Sequence, residues 1–457
     1  MRLASLLGPD LHHTLAHEPE ALLEALEEFH EEDIAEIAED LELDDVIALM
    51  RALPEDFAAG VLERIPEERR AEILVRLKPA EAAGLLFEME PDDRADVVQT
   101  LEPPLQRSLL EELEKVDPET AEETRELAAY PESTAGGIMT TAFVGLPPET
   151  KIWQAIDELR RLSRAEEVEH VYYVYALAFG DKLVGVASLR DMILGEPAQT
   201  LADVMNENVV RVMDLDPQEE VARTIAKYDL EAVPVVDAQG RMVGVVTVDD
   251  VVDVVIEEAT EDAQRMGAVT PTEDSYFGSG FLAYYKSRVT WLVVLFLGGF
   301  LTATVMERFE DQLRHALALA VFIPLIISTG GNAGSQSATL VIRAMAVDEV
   351  HPRDWVRVAS REAVVGLGLG LVVGVLGFGR AFFTASGAEA VPLALVVSIS
   401  IVMVVTVGSL IGSLLPLAIR RVGLDPAVSS TPFIASLSDV VGLLIYLTIA
   451  RSLLHLG

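Results

Sequence analysis

The sequence predicts a multidomain chain. Its first part is soluble, acidic and largely helical, and its last part is a domain of five membrane-spanning helices. Three observations predict this. Residues 1–283 hold 64 of the 74 Asp and Glu and 22 of the 34 Lys and Arg, a net charge of −42, whereas residues 284–457 hold 10 acids and 12 bases, a net of +2. Prolines recur every 12 or 13 residues from Pro54 to Pro103. Five long uncharged runs fill the last part, each near or above the ~20 residues that cross the hydrocarbon core.

The proline-paced segment is an array of short helices. Pro54, Pro66, Pro79, Pro91 and Pro103 are mostly followed by acids and then an apolar stripe, as in PEDFAAGVLERI and PDDRADVVQTL. Proline suits a first helical turn, and Asp or Glu there complements the helix dipole. One such helix cannot bury its apolar face alone, so neighbours stack into a superhelix over 1–132. The repeat by itself fits a scaffold as well as a regulatory domain.

A second repeat follows. Ile138-Met139-Thr140 returns as Val204-Met205-Asn206, and LVGVASLRD (183–191) returns as MVGVVTVDD (242–250). In both copies a helical stretch precedes apolar strands, which divides the segment into 133–200 and 201–248. The order Met, helix, strand, Gly-Val, Ser/Thr-x-x-Asp and helix resembles a tandem pair of cystathionine-β-synthase (CBS) domains. Such pairs sense ligands, often adenine nucleotides, and rarely catalyse. The resemblance implies a nucleotide position at Tyr173, Arg190, Asp191 and Leu230, with Leu230 standing where some relatives carry an aromatic residue.

Residues 249–283 form an acidic connecting segment that begins as a helix. Asp250, Asp253, Glu257 and Glu261 follow at spacings of 3, 4 and 4, on one face. Like charges so placed destabilise an isolated helix, so packing requires a compensating cation or solvent.

The uncharged runs are Val289–Met306, His315–Ile342, Ala363–Gly379, Ala390–Ile419 and Pro426–Ala450, the last interrupted by Asp439. Barrel-like alternation is absent, so helices must satisfy the backbone there; the longer runs should contain kinked, re-entrant or interfacial pieces. Lys286 and Arg288 precede the first run, Arg343, Arg353, Arg357 and Arg361 follow the second, and Arg420 and Arg421 precede the fifth. The alternate loops hold only Arg308, Arg314 and Arg380. This asymmetry places the N-terminal domains in the cytosol and the C-terminus outside. The opening MRLASLLGPDLHH turns polar too soon for a signal peptide.

Composition excludes some functions. An acidic surface of this size is unsuited to nucleic acid, whose phosphates need Lys and Arg; it suits cations or plain solvation. There is no cysteine, which rules out disulfides, thiolate metal sites and cysteine nucleophiles.

Asp439, in SLSDVVGLLIYL, carries the functional reading. A lone carboxylate at membrane depth costs several kcal/mol unless a partner, water or a cation faces it. The alternatives are a protonated, hydrogen-bonded Asp or a position near the interface. Two chains about a two-fold axis along the membrane normal would bring two Asp439 side chains together. Mg²⁺ parts with its waters reluctantly, so a hydrated ion is expected, held with help from Asn332, Ser335, Gln336, Ser337, Ser436 and Ser438. GGNAGSQSAT (330–339) serves helix packing and pore lining equally well by composition.

With these segments in view, the chain resembles the MgtE family of Mg²⁺ transporters over nearly its whole length. The most specific matches are GGNAGSQSATLVIR, GLDPAVSSTPFIASLSDVVGLLIYL and VTVDDVVDVVIEEATEDAQRMGAV. The resemblance implies a homodimer with a Mg²⁺-selective path on the dimer axis, Asp439 in the pore and a connecting plug helix. It also implies regulatory Mg²⁺ sites among Asp92, Asp96, Glu219, Asp229, Asp250, Asp253, Glu258, Glu261, Asp262 and Asp425. Pro217 stands where a relative has an acid, and Thr431 where a relative has Asn. The implied cofactors are Mg²⁺ and, at the CBS domains, ATP; the implied partners are a second copy, the lipid membrane and divalent cations, with no nucleic acid. The expected function is Mg²⁺ uptake gated by cytosolic Mg²⁺, with a CBS-regulated transporter of Co²⁺ or Mn²⁺ as the alternative. An enzyme is not expected. An intramembrane metalloprotease would need a His-Glu-x-x-His helix, and the sequence has none.

Overall fold

Each proline on the 12-to-13-residue spacing opens a helix in the computed structural model, which describes residues 29–164, 168, 171–272, 280–310, 317–384 and 390–454. The opening MRLASLLGPDLHH, Arg314 and His315 lie outside the described residues. The chain divides into two compact units after Ile256.

The first unit begins with eight described helices. They are α1 (Glu31–Asp40), α2 (Leu43–Ala52), α3 (Glu55–Glu63), α4 (Glu67–Arg76), α5 (Pro79–Glu88), α6 (Pro91–Gln99), α7 (Pro103–Val116) and α8 (Pro118–Leu127). Pro79, Pro91 and Pro103 take the first helical position, where a missing N–H costs nothing. Pro54 and Pro66 sit one residue earlier, as extended N-caps. Helices pack on their second neighbours: α1 on α3, α3 on α5, α5 on α7, and α2 on α4. This stacking buries Ile34, Leu49, Leu62, Leu74, Leu86 and Leu109 in one continuous core. Each such side chain contributes about 1.5–3 kcal/mol.

The second repeat folds as two three-stranded sheets of identical plan. β1 (Val144–Leu146) pairs parallel with β2 (Tyr173–Ala178), which pairs antiparallel with β3 (Lys182–Ser188). Likewise β4 (Val212–Met213) pairs parallel with β5 (Ala232–Val236), which pairs antiparallel with β6 (Met242–Thr247). The register slips once in each, at Ala176/Leu177 and Val235/Val236. Between and after the strands lie α9 (Ile152–Arg164), α10 (Leu189–Leu194), α11 (Leu201–Val204), α12 (Gln218–Tyr228) and α13 (Val248–Met266). The repeats exchange edges. Thr140 bridges to Val245 on β6, and Asn206 bridges to Val186 on β3. This explains the paired motifs, because Gly244 lies against Met139 and Gly185 against Met205, with no room for a Cβ at either glycine.

Among its described residues, the second unit holds five helical segments long and apolar enough to cross a membrane. The first is α14 (Phe281–Arg308), which starts eight residues before the uncharged run. The second is broken: α15 (Leu317–Ala320) and α16 (Ile323–Ala346) flank a turn at Val321 and Phe322. Then come α17 (Trp355–Thr384), α18 (Ala390–Arg421) and α19 (Thr431–Leu453). Pro426 belongs to a separate 3₁₀ turn, Pro426–Val428, and not to the last span. Small residues line the seams. Gly366, Gly370 and Gly374 of α17 face Thr406, Val402 and Ser398 of α18. Between α16 and α18, glycine meets glycine: a Cβ at Gly408 would stand 2.6 Å from the Gly330 carbonyl oxygen, and one at Gly412 would come within 2.9 Å of Gly334 Cα. Such helices approach backbone to backbone, as lipid-solvated helices without a hydrophobic driving force must.

Candidate ion pathway and acidic cation sites

The first unit contains a cleft of about 790 Å³ whose lining includes Asp56, Glu88, Asp92, Asp93, Asp250 and Asp253. Among the described residues Arg64 is the one base on this lining, and its guanidinium is held by Glu31 (2.9 Å) and Glu32 (2.8 Å). Asp92, in the first turn of α6, is 9% exposed, and its Oδ1 has no hydrogen-bond partner among the described residues. Burial, followed by the Asp250 and Asp93 charges, pushes its carboxyl well above the ordinary carboxylate range. Burial likewise pushes Asp96 up to about 7, with Asp93 adding repulsion. Asp250 is raised to about 6, again chiefly by burial, against the opposing hydrogen bond from Thr247.

A buried orphan oxygen among like charges fits a divalent cation. Among the described residues no group of three or more acidic or histidine side chains is arranged to hold a metal ion directly. A hydrated ion held through its waters makes no such demand. Asp250 also has a structural duty. Its Oδ2 accepts the Thr247 hydroxyl at 2.5 Å, as Asp191 Oδ2 accepts that of Ser188 at 2.5 Å, so the repeated Ser/Thr-x-x-Asp is a helix-capping pair. Asp96, Glu219 and Asp229 do not line the cleft. Glu219 is exposed in the first turn of α12, and Asp229 closes that helix in the left-handed conformation.

α13 is one continuous helix, as the acidic spacing predicts, and ends at Met266. Its later acids belong to the second unit, where Glu258, Glu261 and Asp262 are half-buried. Glu261 and Asp425 do not stand open. The Arg265 guanidinium pairs with both, and Asp425 Oδ1 also accepts the Ala427 N–H at 2.8 Å. Part of the charge compensation is therefore internal.

At the implied nucleotide position, Tyr173 pairs with Ser188 at the head of α10, which carries the exposed Arg190 and Asp191. Leu230, from the other repeat, is half-buried against the core around Val221 and Val246. Tyr173 also lines the acidic cleft.

In the membrane unit, Asp439 is half-buried and makes no hydrogen bond or ion pair among the described residues. Its Oδ1 lies 3.6 Å from the point a Cβ on Gly331 would occupy. Beside Gly331, α16 exposes a polar face: Ser328, Asn332, Gln336 and Thr339 stand one above another at spacings of 4, 4 and 3. The other predicted donors are turned elsewhere. Ser337 is buried and donates to Glu362 Oε2 of α17 at 2.7 Å, and Ser335 donates to the Thr431 carbonyl at 3.4 Å. Ser438 is buried against Gly334, and Ser436 is half-buried. The glycine-rich segment thus divides its labour. Its glycines and Ser337 pack, while its amides remain exposed.

Sequence reasoning missed Glu362 because the uncharged run begins one residue later. It missed Arg265 although Glu261 and Arg265 stand at the i, i+4 spacing of helix ion pairs.

Comparison with known proteins draws these parts together. Residues 29–133 match the family model of the MgtE intracellular N domain, residues 135–195 and 201–257 match CBS domains, and residues 323–449 match the MgtE divalent cation transporter domain. The chain is 45% identical over 341 residues to the magnesium transporter MgtE of Thermus thermophilus, covering 74% of each protein. It is 38% identical over 332 residues to that of Enterococcus faecalis, covering 73% of this chain and 72% of the relative. Among solved structures, the cytosolic domain of the Mg²⁺ channel MgtE in complex with ATP matches 55% of this chain and 100% of that chain, at 38% identity and a TM-score of 0.50. With its helical N domain, CBS pair and five apolar helices, the chain is a multi-pass membrane protein that belongs to the MgtE family of magnesium transporters.

Proposed function

We propose that the chain conducts hydrated Mg²⁺ past Asp439, and that cytosolic Mg²⁺ on the acidic cleft and the connecting helix closes the path. The observation that carries this is Asp439, half-buried and without a hydrogen bond or ion pair among the described residues, whose Oδ1 faces Gly331 of the segment that also exposes Asn332 and Gln336. A carboxylate and a polar helix face at membrane depth need water, an ion or a second chain. One carboxylate per chain holds Mg²⁺ weakly, so a homodimer with two Asp439 side chains across its axis supplies the site. The C-terminus then lies outside, since five spans follow an intracellular N domain.

The carboxylates of Asp92, Asp96, Glu219, Asp229, Asp250, Asp253, Glu258, Glu261, Asp262 and Asp425 would hold regulatory Mg²⁺. Bound there, the ion supplies positive charge between groups that otherwise repel. Two like charges 4 Å apart cost up to about 4 kcal/mol at an effective dielectric near 20. Unscreened acidic faces therefore favour a spread cytosolic region and an open path. Filling several weak sites adds their free energies to the closed state. The match to an ATP-bound MgtE cytosolic domain supports a nucleotide at Tyr173, Arg190, Asp191 and Leu230 as a second regulator.

The test is Mg²⁺ flux into liposomes containing purified wild type and Asp439→Asn. Flux falls at least tenfold in the variant if Asp439 lines the path, while its detergent melting point stays near wild type. Equal flux in the two would reject the reading. Patch recording of a variant with its connecting-helix acids neutralised together tests gating, because unchanged inhibition by cytosolic Mg²⁺ would reject the closure scheme.

A further inference from the structure

We infer that Arg265 is an internal counter-cation that competes with Mg²⁺ for Glu261 and Asp425, and so sets the Mg²⁺ concentration at which this part of the chain loads. The inference rests on the reading that acids of the connecting helix take up regulatory Mg²⁺.

The geometry points to competition. Arg265 stands one turn after Glu261 on α13, and its Nη2 pairs with Glu261 Oε1. Its Nη1 pairs with Asp425 Oδ2, 160 residues away in the turn that leads into α19. Both Asp425 oxygens are engaged, since Oδ1 accepts the Ala427 N–H that starts the 3₁₀ turn Pro426–Val428. One planar guanidinium therefore bridges two carboxylates from distant parts of the sequence, the task a divalent cation would perform there. A bridging ion would compete with it for the same two oxygens. All three side chains remain about one-third exposed, so exchange needs no unfolding.

The bridge also fixes the direction of the effect. With Arg265 in place, Glu261 and Asp425 are held together without Mg²⁺. Without it they repel each other and bind a cation more readily. Two partly exposed ion pairs, at the usual strength of such pairs, correspond to a change of about threefold to tenfold in apparent affinity.

The experiment follows the thermal unfolding of the full chain in detergent against Mg²⁺ concentration, for wild type, Arg265→Gln and Arg265→Lys. Arg265→Gln should move the half-maximal Mg²⁺ about threefold to tenfold lower. Arg265→Lys keeps the charge but cannot bridge in one plane, so it should shift less, in the same direction. Glu261→Gln and Asp425→Asn added to Arg265→Gln should cancel the gain. An Arg265→Gln midpoint equal to or above that of wild type overturns the inference. Should Arg265→Gln fail to fold, a wild-type midpoint in Arg265→Lys overturns it. A wild type whose stability ignores Mg²⁺ overturns both this inference and the gating scheme, whereas a Mg²⁺-responsive wild type with an unmoved variant overturns this inference alone.

Discussion

The phenol of Tyr446, fully buried on α19, donates to the carbonyl of Leu319 at 2.9 Å, in the short helix just before the break at Val321 and Phe322. A break in a membrane helix frees carbonyls that lipid cannot satisfy. Tyr446→Phe removes the donor and little volume. The variant should lose about 1–2 kcal/mol in a reversible denaturation titration in micelles, and its Mg²⁺ flux should change because α15, just before the break, loses an anchor. The Phe322 N–H also donates to the Leu319 carbonyl, at 3.1 Å, so full retention of both would show that the backbone bond alone suffices.

Glycines in the membrane unit are not equivalent. A methyl at Gly412 would overlap the Gly334 carbonyl, whereas one at Gly368 or Gly379 meets nothing within 4 Å. Gly412→Ala should therefore cost about 1–3 kcal/mol as α16 and α18 are forced apart. Gly368→Ala should be neutral or slightly stabilising, since alanine is the better helix former. Equal melting points for the two variants would contradict the close packing.

The raised carboxyls predict a pH effect of definite sign. Asp250 titrates at about 6 and Asp96 at about 7, against an ordinary value of 3.8, chiefly because both are buried. Between about pH 4 and pH 7 the folded chain therefore binds more protons than the unfolded one. Stability falls as pH rises through that window, and the full cost stands above it. Without Mg²⁺, wild type should melt higher at pH 5.5 than at pH 8, relative to the Asp96→Asn/Asp250→Asn variant, by about 1–3 kcal/mol. Saturating Mg²⁺ should narrow the gap, because the cation replaces the proton. A pH slope shared by wild type and the double variant would place the effect on other groups.

Much of the architecture was legible because it repeats. Proline spacing marks helix starts, since ring geometry and a missing N–H leave few other places for the residue. The Ile-Met-Thr and Val-Gly-Val motifs recur because each repeat supplies the methionine that its partner's glycine accommodates. What periodicity cannot register is which partner a side chain finds. Glu261 and Asp425 read as open acids because Arg265 reaches Asp425 only through the fold. Ser337 and Asn332 read alike as polar membrane residues, yet one is buried against Glu362 and the other is exposed. The break at Val321 was foreseen only as an overlong run, since no residue there is obligatory for a turn.

The exchanged bridges of the CBS pair have a consequence for how this region comes apart. Thr140 closes the edge of the later sheet, and Asn206 closes the edge of the earlier one. Each sheet takes an edge bridge from the other half of the pair. These reciprocal bridges couple the melting of the two halves. A mutation that loosens one half will be felt in the other, so a signal received in either is bound to be shared.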